Sequence, residues 1–309
     1  MSVLLLSHHA CLAHDPGEGH PECPDRLRAA LRALEAEEFA GLIRDDAPRA
    51  TQEQLLRVHP QHYIEAILGI RPAPEDRVAL DGDTIMSHGS AEAALRAAGA
   101  AVAGVDAVCR GEVRRAFCAT RPPGHHAEPG RPMGFCLFAN AAIAARHAQA
   151  AHGVRRVAVV DFDVHHGNGT QACFEADADV FYASSHQFPC YPGTGAAHET
   201  GVGNILNVPL PPGADGAAFR TAWRDHLLPA LDRFAPGLLV ISAGFDAHAR
   251  DPLAQLRVRE ADFAWLTTEL CRVAERHCGG KVVSLLEGGY DLEALASSTA
   301  AHVRALMRA

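Results

Sequence analysis

The stretch Val157-Ala-Val-Val-Asp161-Phe-Asp163-Val-His165-His166-Gly-Asn168-Gly169 changes character at its middle. Its first part is a β-branched apolar run, short enough to be a buried strand. Its second part is a polar exit carrying acids, histidines and glycine. The same change recurs three times. Ala116–Ala119 leads into Arg121-Pro-Pro-Gly124-His125-His126, Leu238–Ile241 into Ser242-Ala-Gly-Phe-Asp246, and Val282–Leu286 into Glu287-Gly-Gly-Tyr290. Further short apolar runs lie at Val3–Leu6, Val180–Ala183 and Ile205–Val208. Helical patterns separate most of them: Pro24–Glu38, Ser90–Arg110, Asn140–Ala151, Ala217–Phe234, Glu260–His277 and Asp291–Met307. Strand followed by helix, repeated, predicts an α/β chain with one mainly parallel sheet and helices on both faces. Ligands of such sheets bind beyond the carboxyl ends of the strands, so four polar exits on one edge would make one site.

Length and composition agree with this. The chain has 309 residues, 48% of them hydrophobic and 21% charged, as a globular protein requires, which excludes a disordered chain, a collagen and a coiled coil. No composition break, linker or repeat interrupts it, so residues 1–309 read as a single domain. Lys and Arg number 28 against 37 Asp and Glu, a formal net charge of −9. That balance carries no basic stripe for direct nucleic-acid binding and suits a substrate with positive charge. The apolar run at the start is too short for a signal peptide, and charges interrupt the Ala-rich Ser90–Cys109, so neither export nor membrane insertion is expected. Nine scattered cysteines without a C-x-x-C pair read as reduced thiols, and the expected location is the cytoplasm. Asp15–Pro24, Ile70–Ser87 and Phe188–Gly203, rich in Gly, Pro and His, read as long functional loops. Asp15–Pro24 is a candidate contact for a homo-oligomer.

The exits suggest metal chemistry. Asp163 and His165 stand two apart, so on extended backbone they point to the same face and can converge on one cation. A catalytic zinc wants three protein ligands and an open position, and Asp246 at another exit is the natural third. The plainer alternative is that Asp161 and Asp163 cap a following turn. His125-His126 after a Pro-Pro-Gly turn can present both rings to one place, where two histidines beside a metal-bound water suggest proton transfer. Tyr290 after two glycines is a candidate donor to a developing oxyanion. Phosphate-loop, dinucleotide, nucleophile-elbow and H-E-x-x-H motifs are all missing. His20-Pro-Glu22 fits half of a zinc deaminase signature, but the P-C-x-x-C half is missing.

Taken together, Arg121–Ala127, Asp161–Gly169, Tyr191-Pro-Gly-Thr-Gly195, Ser242–Asp246 and Glu287–Tyr290 resemble the histone deacetylase family, in order and over nearly the whole chain. His20-Pro-Glu-Cys-Pro-Asp-Arg26 and Asn168 resemble its class II branch and the bacterial deacetylase and acetylpolyamine amidohydrolase relatives. The resemblance implies the arginase/deacetylase fold, with a central parallel sheet of about eight strands. It implies Asp163, His165 and Asp246 as ligands of one catalytic Zn²⁺ and His126 as general base. His125 becomes its electrostatic partner, with Asp161 paired to His125 and Asn168 to His126. Tyr290 would polarise the scissile carbonyl. Phe135, next to Gly134, and Tyr191 match the aromatic walls of an acyl-lysine tunnel, although the second wall is usually Phe. Asp83 matches the rim acid that holds the substrate backbone. The resemblance also implies structural K⁺ or Na⁺ ions, one framed by Asp161, the Asp163 and His165 backbone and Ser184, another near Phe174. In the eukaryotic polyamine-selective relatives a glutamate sits seven residues after the last zinc-binding Asp, and that position here is Leu253; bacterial polyamine enzymes can also select by narrowing the channel through dimerisation.

The expected activity is therefore zinc-dependent removal of acetyl or other acyl groups from lysine side chains, with zinc-bound water as nucleophile. An acetylpolyamine or another small acylated amine is the alternative substrate. An arginase-like ureohydrolase would need a second metal site with further acids, against which Asn168 argues. A catalytically silent acetyl-lysine reader would not need the full set of ligands, base and Tyr290.

Overall fold

In the computed structural model, which describes residues 2–309, the apolar runs line up as strands. In chain order they are β1 (Val3–Ser7), β2 (Ile43–Asp46), the short hairpin β3 (Val78–Ala79) and β4 (Ile85–Met86), β5 (Arg115–Cys118), β6 (Val157–Asp161), β7 (Val180–Gln187), β8 (Ile205–Leu210), β9 (Leu238–Ala243) and β10 (Val282–Leu286). All except the hairpin form one eight-stranded sheet in the order β2-β1-β5-β10-β9-β6-β7-β8. Every pairing in that sheet is parallel. The four strands with polar exits, β5, β10, β9 and β6, are immediate neighbours. Their register aligns Cys118 with Leu285, Leu286 with Ala243, and Ser242 with Asp161, so the four exits open at one level of one edge.

Helices cover both faces: α1 (Pro24–Ala33), α2 (Gln52–Leu56), α3 (Gln61–Gly69), α4 (Ser90–Cys109), α5 (Asn140–His152), α6 (Asn168–Phe174), α7 (Gly216–Ala222), α8 (Leu228–Phe234), α9 (Glu260–Cys278) and α10 (Leu292–Arg308). Alternate residues of each strand enter opposite cores, as the pleat dictates. Leu239 and Ile241 of β9 join the core under α1, α9 and α10, whereas Leu238 and Val240 join the one under α4 and α5. Alanines dominate the buried positions of α4 and α5. Among the described residues no helix is long and apolar enough to cross a membrane, and all nine cysteines are free.

Several elements differ from the sequence reading. β2 reads Ile-Arg-Asp-Asp, all exposed, at the sheet edge, and so has no apolar signal. Helix α1 ends at Ala33 rather than Glu38. The helical stretch from Ala217 to Phe234 is present but is interrupted by a wider π turn at Trp223–Leu227. The expected loop Ile70–Ser87 contains the β3–β4 hairpin.

Candidate active site

Asp163, His165 and Asp246 meet just beyond β6 and β9. One ligand atom from each lies within 4.8 Å of the others, and all three residues are buried. Nδ1 of His165 is 3.1 Å from both Asp163 Oδ1 and Asp246 Oδ2. A neutral imidazole has one N–H, so it cannot satisfy two buried carboxylates. Burial, and then repulsion from Asp163, pushes the Asp246 carboxyl up to about 7. The set thus has the chemistry of a divalent cation site: borderline and hard donors, surplus negative charge and too few protons. Backbone amides orient the carboxylates. Val164 N–H donates to Asp246 Oδ1 at 2.8 Å and Gly288 N–H to Asp163 Oδ2 at 2.8 Å. A Cβ on Gly288 would stand 2.1 Å from Asp246 Oδ2, so only glycine lets this loop come so near.

The two histidines stand beside this set, their ring centroids 4.0 Å apart. His125 Nδ1 lies 3.1 Å from Asp161 Oδ2 and its Nε2 is 3.8 Å from Asp163 Oδ2. Burial opposes charge on this ring, but Asp163 and Asp161 outweigh it and push its pKa up to about 10. His126 Nδ1 lies 2.8 Å from Asn168 Oδ1. The Asn168 amide nitrogen donates elsewhere, at 3.0 Å to Glu128 Oε1, so its oxygen faces His126 and can only accept. His126 therefore carries its proton on Nδ1 and leaves Nε2 free. Burial, and then repulsion from His125 and His165, holds its pKa well below the ordinary value. Both pairings expected from the sequence are present, and they drive the two rings apart in basicity.

A pocket of about 220 Å³ opens over these groups. Its lining is Asp83, His126, Gly134, Phe135, His165, Tyr191, Leu253 and Tyr290, each singled out in the sequence. Gly134 has φ +57°, and a Cβ there would lie 2.4 Å from the His126 ring. Phe135 itself has φ +67°, a costly conformation that places the ring 5.8 Å from that of Tyr290. The Tyr191 ring is 5.2 Å from His126. Burial raises the Tyr290 hydroxyl well above its ordinary pKa, so it stays a donor. Leu253, 37% exposed, is at the mouth. Asp161 and Ser184 are register partners lying beneath, fully buried. Phe174 is outside the pocket, at the far end of α6, and its carbonyl accepts from Asn204 Nδ2.

Three residues have supporting roles that the sequence does not assign. The Glu287 carboxylate accepts from the N–H of Gly124 at 2.7 Å and of His125 at 3.2 Å, tying the histidine turn to the Tyr290 loop. Asp251 accepts from the N–H of Leu253 at 3.0 Å and of Tyr290 at 2.7 Å. The Arg26 guanidinium lies 4.7 Å from the centroid of the Tyr290 ring and donates to Gly289 O at 2.6 Å. Glu287 follows a buried strand and Arg26 closes the His20–Arg26 motif, but neither motif records these contacts, and nothing local marks Asp251. A second group, Asp106, His147 and His152, also brings one ligand atom from each residue within 4.8 Å of the others. Arg57 donates to His147 Nδ1, however, so Nε2 carries the proton and gives it to Asp106 at 2.7 Å. Both nitrogens of His147 are committed, and the cluster is a clamp between α4 and α5.

An eight-stranded parallel sheet of this order, with an Asp-His-Asp set and paired histidines at its carboxyl edge, is the architecture of hydrolases of the arginase/deacetylase fold. The profile of the histone deacetylase domain matches residues 20–306. The histone deacetylase-like amidohydrolase of Pseudomonas aeruginosa is 44% identical over 88% of this chain and 73% of its own length. Histone deacetylase 14, chloroplastic, of Arabidopsis thaliana is 41% identical over 98% of this chain and 76% of its own. The crystal structure of the HDA15 HD domain matches with a TM-score of 0.93 and 37% identity, over 99% of this chain and 88% of that one. The chain belongs to the histone deacetylase family and is an amidohydrolase of that family's deacetylase type.

Proposed function

We propose that the protein is a zinc-dependent deacylase acting on acylated lysine side chains. The observation that carries this is the convergence of Asp163, His165 and Asp246 under a narrow pocket, beside two histidines of opposed basicity. These three residues would hold one Zn²⁺, which when bound supplies Lewis acidity toward an amide carbonyl and toward water. The remaining work falls to the chain. His126 accepts the proton of the attacking water at Nε2, the nitrogen its Asn168 bond leaves free. His125, kept protonated between Asp161 and Asp163, supplies positive charge beside the developing anion. The Tyr290 hydroxyl donates to the oxygen that becomes negative. A proton then returns from the histidine pair to the leaving amine. Phe135, Tyr191 and Leu253 give the methylene stem apolar surface, and Asp83 is placed to accept from the substrate backbone. A K⁺ or Na⁺ ion framed by Asp161, Ser184 and the Asp163 and His165 backbone would brace the site from beneath.

Leu253 favours lysine over a polyamine. It offers a second ammonium no partner, so that charge would lose water without compensation. A carboxylate there would supply a charge-assisted contact, about 10- to 150-fold in specificity. The test compares kcat/KM for an acetyl-lysine peptide and an acetylated spermidine in the parent and in Leu253→Glu. The parent should prefer the peptide and the variant should move toward spermidine. A parent preference for spermidine of tenfold or more contradicts the lysine assignment, and an unmoved ratio in Leu253→Glu removes Leu253 from it.

A further inference from the structure

Three backbone carbonyls converge where α6 hands over to β7. Phe174 ends the helix, Asp177 lies in the turn and Val180 opens the strand. Their oxygens stand 2.8, 2.9 and 2.7 Å from a single atom, Nδ2 of Asn204. Asn204 is buried. Chemistry fixes which way its amide points. Carbonyl oxygens only accept, so the NH₂ must face them, and Oδ1 turns to accept from Val202 N–H at 3.2 Å. An NH₂ group carries two hydrogens, yet three acceptors surround it. The carbonyls are therefore arranged for something that attracts from all directions. Backbone carbonyls drawn to one point are how proteins replace the hydration shell of a monovalent cation. The family resemblance places a second such ion beside Phe174, but the centre of this cage is already filled by a side chain.

We propose that Asn204 is a built-in substitute for a monovalent cation: its amide nitrogen occupies the cage formed by the Phe174, Asp177 and Val180 carbonyls, and no K⁺ or Na⁺ binds there. The substitution has a mechanical consequence. Asn204 adjoins the start of β8, and its own carbonyl accepts from Tyr182 N–H of β7 at 3.0 Å. One residue thus joins the end of α6 to the beginnings of β7 and β8 without an ion. At the other end of α6 stands Asn168, the partner of His126. The helix that orients this histidine is anchored at this end by hydrogen bonds from the chain's own side chain, so that anchorage does not vary with the potassium concentration of the surroundings. This inference stands independently of the zinc and lysine assignments.

Thallium(I), a potassium mimic with strong anomalous scattering, tests it in crystals of the intact protein. Soaked crystals of the parent should show no thallium peak at the cage, with the Asn204 side chain in place. Asn204→Ala vacates the centre, and Asn204→Asp keeps the bond from Val202 while turning an anionic oxygen toward three carbonyls. Both variants should acquire a thallium peak there. In solution, replacing choline chloride by potassium chloride at equal ionic strength should raise their Tm saturably, by about 5 °C more than the parent's. A thallium peak at the cage of the parent, with Asn204 turned aside, overturns the proposal even if neither variant folds. So does a folded variant that gains neither a peak nor a potassium-dependent Tm.

Discussion

His125 and His126 share one turn and the same depth of burial, and their partners alone decide what each can do. A carboxylate on either side keeps His125 charged, while a neutral amide oxygen fixes the proton of His126 on the nitrogen that faces away from chemistry. Opposed shifts in adjacent titratable groups are a signature of divided acid–base labour. In the proposed mechanism Tyr290 has a third role, as a donor needed only when charge develops. Tyr290→Phe should therefore lower kcat by roughly 10²–10³ and leave KM nearly unchanged. Steady-state kinetics on an acetyl-lysine peptide checks this, and an unchanged kcat would take Tyr290 out of the mechanism. Most of the residues that touch the pocket were legible in the sequence because they sit in short motifs beyond strands, whereas Asp83 and Leu253 came only from the family resemblance. The supporting roles of Glu287, Asp251 and Arg26 were not legible, although Glu287 and Arg26 stand within quoted motifs, since they act by holding backbone from another part of the chain. No local pattern records such contacts.

Among the elements, the segment leading into α1 does more than start a helix. The Glu22 carboxylate binds Arg121 Nη2 at 2.6 Å, Arg26 Nη1 at 3.0 Å and His14 Nε2 at 3.2 Å, with all four side chains essentially excluded from solvent. Burial would raise the pKa of Glu22, but Arg121 and His14 hold the carboxyl far below the usual range. Removing the charge leaves two buried guanidinium groups without their counterion. Glu22→Gln should cost about 3–5 kcal/mol in unfolding free energy. Urea denaturation at pH 7 measures it, and a midpoint equal to the parent's would show that the network is not held by charge. The long periodic elements were legible because their apolar spacing is dictated by a core. β2, with four exposed residues, and the short α2, α3 and α6 were not, because docking rather than periodicity makes them form.

At the scale of the whole molecule, the parallel sheet could be read from alternating strands and helices, and one shared edge from four similar exits. Strand order could not be read, since it depends on which crossovers pack. The fold also buries histidines whose protonation it forbids. His59 donates from Nδ1 to Pro129 O and accepts at Nε2 from Ala139 N–H. Burial lowers its pKa to about 4, and that of His302, held between Thr267 and Ser284, to about 3. Both values lie below that of the unfolded chain, so the unfolded state takes up protons first as pH falls. Stability should therefore decline below about pH 6.5, each histidine contributing about 1.4 kcal/mol per pH unit. Urea unfolding at pH 7 and pH 5 should show this decline, with a shallower slope in His302→Gln; equal slopes would exclude His302 from it. In the proposed mechanism one zinc ion, held by Asp163, His165 and Asp246, is required for deacylation. This requirement is tested most directly by turnover of an acetyl-lysine peptide after exhaustive chelation, with metal content measured on the same sample. Activity should disappear with the metal and return with one equivalent of Zn²⁺; full turnover by verified metal-free protein would rule the zinc requirement out.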